Sequence, residues 1–122
     1  MGGLRLIESS PIEIRLTPNF RRQVRQLEKK YRQLRSDLQP ILEQIQSGEI
    51  LGDRLQGVGA EVLKARIRNS DAKRGKSGGY RLIYWLRLPE YIVLLDIYSK
   101  SEQDDIEAET IKSIIAEFEN AI

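Results

Sequence analysis

Apolar positions along the chain run first with a period of two, then with spacings of three and four, then with two again, and finally with three and four. In "PIEIRL" (residues 11–16) Ile12, Ile14 and Leu16 alternate with Glu13 and Arg15, which predicts a half-buried strand. Thr17 is placed to cap a helix that has Pro18 at its first position, where a missing N–H costs nothing. Phe20, Val24, Leu27, Tyr31 and Leu34 then form one apolar stripe, with Arg21, Arg22, Arg25, Lys29 and Arg32 on the solvated side. Ser36 or Asp37 opens a second helix with Pro40 near its start, Leu38, Ile41, Leu42 and Ile45 as its apolar side, and "SGE" as its end. The short connection makes the two a helical hairpin.

The glycine-punctuated "GDRLQGVGAE" reads as a loop. After it, "VLKARIR" places Leu63, Ala65 and Ile67 on one face of a strand and Lys64, Arg66 and Arg68 on the other. A loop follows, and "YRLIYWLRL" and "YIVLLDIYS" read as two strands joined through Pro89 and Glu90. The last of these is apolar on both parities, as expected of a strand covered on both faces. Ser101 with Asp104 three residues on resembles a capping box, and Glu102, Asp104 and Asp105 suit a helix N-terminus. Ile111, Ile114, Ile115, Phe118 and Ile122 then make the stripe of an acidic C-terminal helix within residues 101–122. The order strand-helix-helix-strand-strand-strand-helix predicts an α+β fold, with helices on one face of a small, mostly antiparallel sheet.

At 122 residues the chain has the length of one domain, with residues 1–10, "MGGLRLIESS", as an N-terminal extension too polar for a signal peptide. The longest apolar run, "YIVLL", is far short of a membrane span, so a cytoplasmic protein with no membrane partner is expected. There is no cysteine and no histidine, which removes disulfides, thiolate sites and the commonest metal ligand and acid–base catalyst. No metal or cofactor is expected, and any chemistry falls to Lys, Arg, Tyr, Asp or Glu.

Net charge is only +2, but residues 54–100 carry 10 basic and 4 acidic side chains whereas 101–122 carry 1 and 7. Parity locates the excess. Leu82, Tyr84 and Leu86 point to the core, which turns Arg81, Ile83, Trp85 and Arg87 outward; in the last strand Asp96, Tyr98 and, past its end, Lys100 share the outward side. If these strands are neighbours, one face gathers Lys64, Arg66, Arg81, Tyr98 and Lys100, rimmed by Lys73, Arg74 and Lys76 of the preceding loop. Taken singly, each is an ordinary solvated charge. Taken as a set they are not, because the exposed strand parities offer only Asp96 as an interleaved acid. A basic face with aromatics nearby fits RNA, through phosphate contacts and stacking.

The segments "LKARI" (63–67), "KRGKSGGYRLIYW" (73–85) and "LLDIYSKSEQDDI" (94–106), supported by "FRRQVRQLEKKYRQL" (20–34), resemble the RelE/ParE superfamily of type II toxin–antitoxin toxins, on the RelE and HigB-like branch. The resemblance implies a toxin neutralised by an antitoxin encoded nearby, one that cleaves messenger RNA in the ribosomal decoding site and inhibits translation. It also implies a complex that meets operator DNA through the antitoxin. By position, Lys64, Arg66 and Arg81 match the family's basic strand residues, Lys73, Arg74 and Lys76 its basic loop, and Lys100 falls near its late basic site. Where several active relatives keep a Tyr or His near the C-terminus, this chain has "SEQDDIEAET", and Tyr98 stands in.

RNA carries its own nucleophile, the 2′-OH, so a metal-free site needs a base, cations for the phosphorane-like charge and an acid for the 5′-oxygen. Lys64, among like charges, is the candidate base. Arg81 holds the non-bridging oxygens with Arg66 assisting, and Lys100 or Tyr98 serves the leaving group. Arg68 and the loop cations bind the RNA backbone, and Trp85 is a candidate for base stacking. The alternative is a non-enzymatic binder: a DNA gyrase inhibitor of the ParE type, or an inactive relative that only binds antitoxin.

Overall fold

The computed structural model describes residues 11–71, 78–87 and 89–121. Its elements are β1 (Ile14–Leu16), α1 (Pro18–Lys30), α2 (Leu34–Gln46), β2 (Asp53–Arg54), β3 (Val62–Ile67), β4 (Tyr80–Arg87), β5 (Tyr91–Ser99) and α3 (Ala108–Asn120). The sheet order is β1-β5-β4-β3-β2, with β1 parallel to β5 and every other pairing antiparallel.

Thr17 caps α1 as expected: its hydroxyl accepts from the Phe20 amide at 3.0 Å. The same hydroxyl donates to the Leu94 and Leu95 carbonyls, at 3.0 and 3.1 Å, so the cap also pins α1 to β5. The second helix starts at Leu34, ahead of Ser36 and Asp37, and Pro40 therefore lies inside it. Tertiary contacts replace the local cap: Asp71 accepts from the Gln33 amide at 2.7 Å, and Asp37 accepts from the Ser70 amide and hydroxyl at 2.9 and 3.0 Å. Pro40 faces solvent, where water can satisfy the carbonyl it leaves unbonded.

Phe20, Val24, Leu27, Leu34, Leu38 and Ile45 of the hairpin pack on Leu63, Ala65, Leu82 and Tyr84, the core face predicted by parity, and on Leu94, which the parity of Asp96 would turn outward. The expectation that all helices lie on this face is corrected. Ile111, Ile114 and Phe118 of α3 pack on Val62, Ile83, Trp85, Val93 and Leu95, the opposite parity, so the sheet lies between two helical layers. Ile83, at 0 % exposure, is therefore covered rather than outward to solvent. That second cover explains why β5 is buried along its whole length. The glycine-rich stretch also holds a short edge strand, β2. There Gly52 (φ +93°) lets the backbone close on β3; a Cβ would lie 2.2 Å from the Lys64 carbonyl oxygen.

Residues 1–10, and with them the N-terminal extension, lie outside the described residues, as do Ile122 and the loop cations Lys73, Arg74 and Lys76.

Candidate functional site

Strand register builds the site. Arg66 of β3 pairs with Arg81 of β4, and Arg81 with Tyr98 of β5, so one rung across three adjacent strands carries these side chains on the face shared with α3. The next rung on that face pairs Asp53, Lys64, Ile83 and Asp96. Between β4 and β5 the register slips at Ile83/Tyr84, leaving Leu95 without an opposite partner. Through this bulge Leu95 and Asp96 both turn toward the α3 face, which alternation alone does not predict. Lys100 follows the end of β5, where its amide donates to the Gly79 carbonyl at 2.8 Å. Gly79 (φ +78°) has no room for a side chain: a Cβ would come within 2.4 Å of the Ile67 carbonyl oxygen.

Lys64, Arg66, Arg81 and Lys100, with Asp53 and Asp104, line a cavity of about 210 Å³. Helix α3 covers the Trp85 end of this face and leaves the cavity end open. Arg81 points to this face but is only 9 % exposed, which corrects the solvent-facing reading. Its Nη1 donates to the Gly78 and Tyr80 carbonyls, at 2.6 and 3.2 Å. The fork is thereby fixed, and among the described residues Nε and Nη2 donate no hydrogen bond. Arg66 and Arg68 are exposed and have no carboxylate partner among the described residues.

Acids do interleave, contrary to the sequence expectation, because they come from segments that strand parity does not cover. Residues 101–107 are a loop rather than the first turns of α3, which starts at Ala108 without a side-chain cap. Asp105 accepts from Lys64 Nζ at 3.1 Å, from the Ile106 amide at 2.8 Å and, over 3.5 Å, from the Tyr98 hydroxyl. The Ile106 amide foremost, then Lys64, hold the Asp105 carboxyl below its usual range. Lys100 donates to the Asp104 carbonyl at 2.6 Å, with the Asp104 carboxylate at 3.7 Å. Glu102 takes Lys30 at 2.7 Å and the Tyr31 hydroxyl at 3.2 Å. Lys64 thus carries a carboxylate counter-ion at 3.1 Å, where the sequence predicts a setting of like charges. The capping-box spacing of "SEQD" conceals this loop, and the i,i+4 spacing of Lys100 and Asp104, which is also that of a helix surface, gives no contrary signal.

Burial foremost, then the Asp105 charge, pushes the Tyr98 hydroxyl up to about 12, so it keeps its proton. Burial likewise raises the Asp96 carboxyl to about 6, against the Ile97 amide and Asn19. Asp96 opens on a larger cavity, about 550 Å³, which also has Arg22, Asp105, Glu107 and Glu117 in its lining. Trp85 does not line the cavity of Lys64, Arg66, Arg81 and Lys100: its ring meets Phe118 edge-on at 6.4 Å, Arg87 sits over it at 5.0 Å, and only 8 % of it is exposed.

The family model that describes the RelE toxin of the RelE/RelB toxin–antitoxin system matches residues 17–118. The chain belongs to the RelE toxin family. As a RelE-type toxin it is one half of a toxin–antitoxin pair, and an antitoxin is its implied partner. The match runs from the α1 cap to Phe118, so it spans the hairpin, the cationic strands and the loop that carries Asp104 and Asp105. Among the described residues of this RelE-type chain no helix is long and apolar enough to cross a membrane.

Proposed function

We propose that this RelE-family chain is a ribosome-dependent messenger RNA endoribonuclease that cleaves by attack of the 2′-OH, without a metal. The observation that carries the reading is the Arg66–Arg81–Tyr98 rung, whose two arginines line an open cavity with Lys64 and Lys100 while Tyr98 lies buried beside them. Arg81, immobilised by two backbone carbonyls, takes the non-bridging oxygens of the scissile phosphate, and exposed Arg66 adds a second fork. Preset donors of this kind suit charge that grows in the transition state. Tyr98, holding its proton firmly, gives it up only to a strongly basic atom, and the departing 5′-alkoxide is one. Lys100 is the other candidate for that task. Lys64 is the candidate base that takes the 2′-OH proton as the P–O bond forms, a task that requires Asp105, its counter-ion at 3.1 Å, to leave first.

Arg68 and the loop cations Lys73, Arg74 and Lys76 extend the phosphate contacts along the strand. Neutralising the three loop cations together should lower the slope of log affinity against log salt by about 2, since each single-strand phosphate contact contributes about 0.7. The cognate antitoxin crosses the basic face or the hairpin with an acidic segment, and the pair meets operator DNA through the antitoxin.

The test is induced expression followed by mapping of messenger RNA ends, with and without ribosome engagement. Translation should stop first, with new ends inside ribosome-occupied codons. Arrest of DNA synthesis with intact messenger RNA would replace this reading by gyrase inhibition.

A further inference from the structure

Each lysine at the cavity is already met by an anion from a single five-residue stretch, Glu102 to Ile106. Asp105 sits on Lys64 and, more loosely, Tyr98, while Asp104 sits on Lys100. The Asp104 side chain is 100 % exposed and that of Asp105 66 %, whereas Lys64 and Lys100 keep only 26 % and 36 %. The cations are therefore built into the sheet and the acids lie over them from outside. The stretch is moored at both ends: Glu102 to Lys30 and Tyr31, with its amide on the Ser99 carbonyl at 3.0 Å, and Ile106 packed against the α3 core. Between those moorings, Asp104 and Asp105 meet the sheet chiefly through the cations.

We propose that Asp104 and Asp105 stand where two phosphates of the RNA go, so that residues 103–105 form an internal competitor that RNA must displace. The inference rests on the RNA reading above and deepens it: it names two anion subsites, one at Lys64 and Tyr98 and one at Lys100. Exposed carboxylate–lysine pairs are weak, so displacement is within reach of a polyanion delivered at high local concentration. Carboxylate and phosphodiester oxygens, each with one negative charge, compete for the same N–H donors, and the RNA wins because two linked phosphates fill both subsites together.

The test uses the full chain and two double variants, Asp104→Asn/Asp105→Asn and, on the distant hairpin, Glu43→Gln/Glu49→Gln, which makes the same change in net charge. Titration calorimetry with inorganic pyrophosphate should show roughly tenfold tighter binding for the first variant and less than twofold change for the second. Equal gains in both variants, or no gain in either, would overturn the competitor. Asp104→Asn alone, at a fully exposed position, repeats the test if the double variant melts early; it should give a smaller gain, and no gain would overturn the proposal. A short single-stranded RNA in parallel separates the two readings. If pyrophosphate binding tightens while RNA binding stays undetectable in every form, the competitor stands and the RNA reading falls.

Discussion

One sheet face has two ends with opposite fates. At the β4–β5 turn end, Trp85, Tyr91 and Val93 lie under Ile111, Ile114 and Phe118, and the face is core. At the other end Lys64, Arg66, Arg81 and Lys100 line an open cavity, although strand alternation treats both ends alike. The difference lies in where α3 begins. A helix starting at Ser101 would carry Glu102, Asp104 and Asp105 in its first turns; starting at Ala108, it leaves those acids in a loop that lies across the cations. The onset of one helix decides how much of a sheet face is left for chemistry and which charges face it.

The largest effect expected from breaking this division is Phe118→Ala at the covered end. Phe118 is 8 % exposed and meets Trp85 and Tyr91 edge-on at 6.4 and 6.5 Å. Emptying that site should cost about 3–5 kcal/mol in denaturant unfolding. A loss below about 1 kcal/mol would show that α3 is not an essential cover.

Next is Arg81→Ala at the open end. Cleavage should fall by roughly a hundredfold or more, as for the loss of a preset transition-state donor. Unlike a surface truncation, it also strips the donor from the Gly78 and Tyr80 carbonyls, so about 1–3 kcal/mol of stability should go with it. Full cleavage with a lowered melting point would make Arg81 a strut of the turn and no part of the site.

Asp96 sits at the border of the two ends, and its effect depends on pH. Its carboxyl is raised from 3.8 to about 6 by burial, so the folded state holds the proton more tightly than the unfolded state. That contribution is fully present below about pH 4 and is lost as pH rises through 6. Asp96→Asn, which removes the titration, should therefore gain on the parent across that window, reaching on the order of 1–3 kcal/mol at pH 7. Asp105 and Glu102, held low, shift stability in the opposite sense at lower pH in both proteins, so the difference between melting curves isolates Asp96. A difference that does not vary with pH would place Asp96 in a solvated setting.

Much of this molecule could be read from spacing. Thr17 and Pro18 marked the start of α1, the three-and-four stripe from Phe20 to Leu34 marked the hairpin core, and parity put Lys64, Arg66, Arg81 and Tyr98 on one face. What could not be read depends on contacts distant in sequence. Asp37 and Asp71 fix the hairpin to the end of β3 across more than thirty residues, which moved the start of α2. The bulge at Leu95 has no sequence mark in a strand that is apolar on both parities before Asp96, and β2 exists only because Gly52 lets an exposed segment reach β3. The acids at the site escaped parity because they belong to a loop, and a plausible helix-cap pattern concealed that loop.

The smallest expected effect is the sharpest on the comparison, because Arg87 shares a strand and a parity with Arg81 but lies at the covered end. Its Nη1 donates to the Tyr91 hydroxyl at 2.7 Å, its guanidinium lies 5.0 and 5.3 Å from the Trp85 and Tyr91 ring centres, and Glu90 stands 3.7 Å away. Those contacts are partly wet, so Arg87→Ala should cost about 1 kcal/mol or less in unfolding, the scale of an exposed cation–ring contact. Arg87→Lys should recover only part of that loss, because an ammonium keeps the charge but not the planar stack on the rings. Cleavage by both Arg87 variants should equal the parent at temperatures where all are folded. If Arg87→Ala slowed cleavage as much as Arg81→Ala, the basic residues of β4 would act as one continuous surface and the division into a covered and an open end would fail.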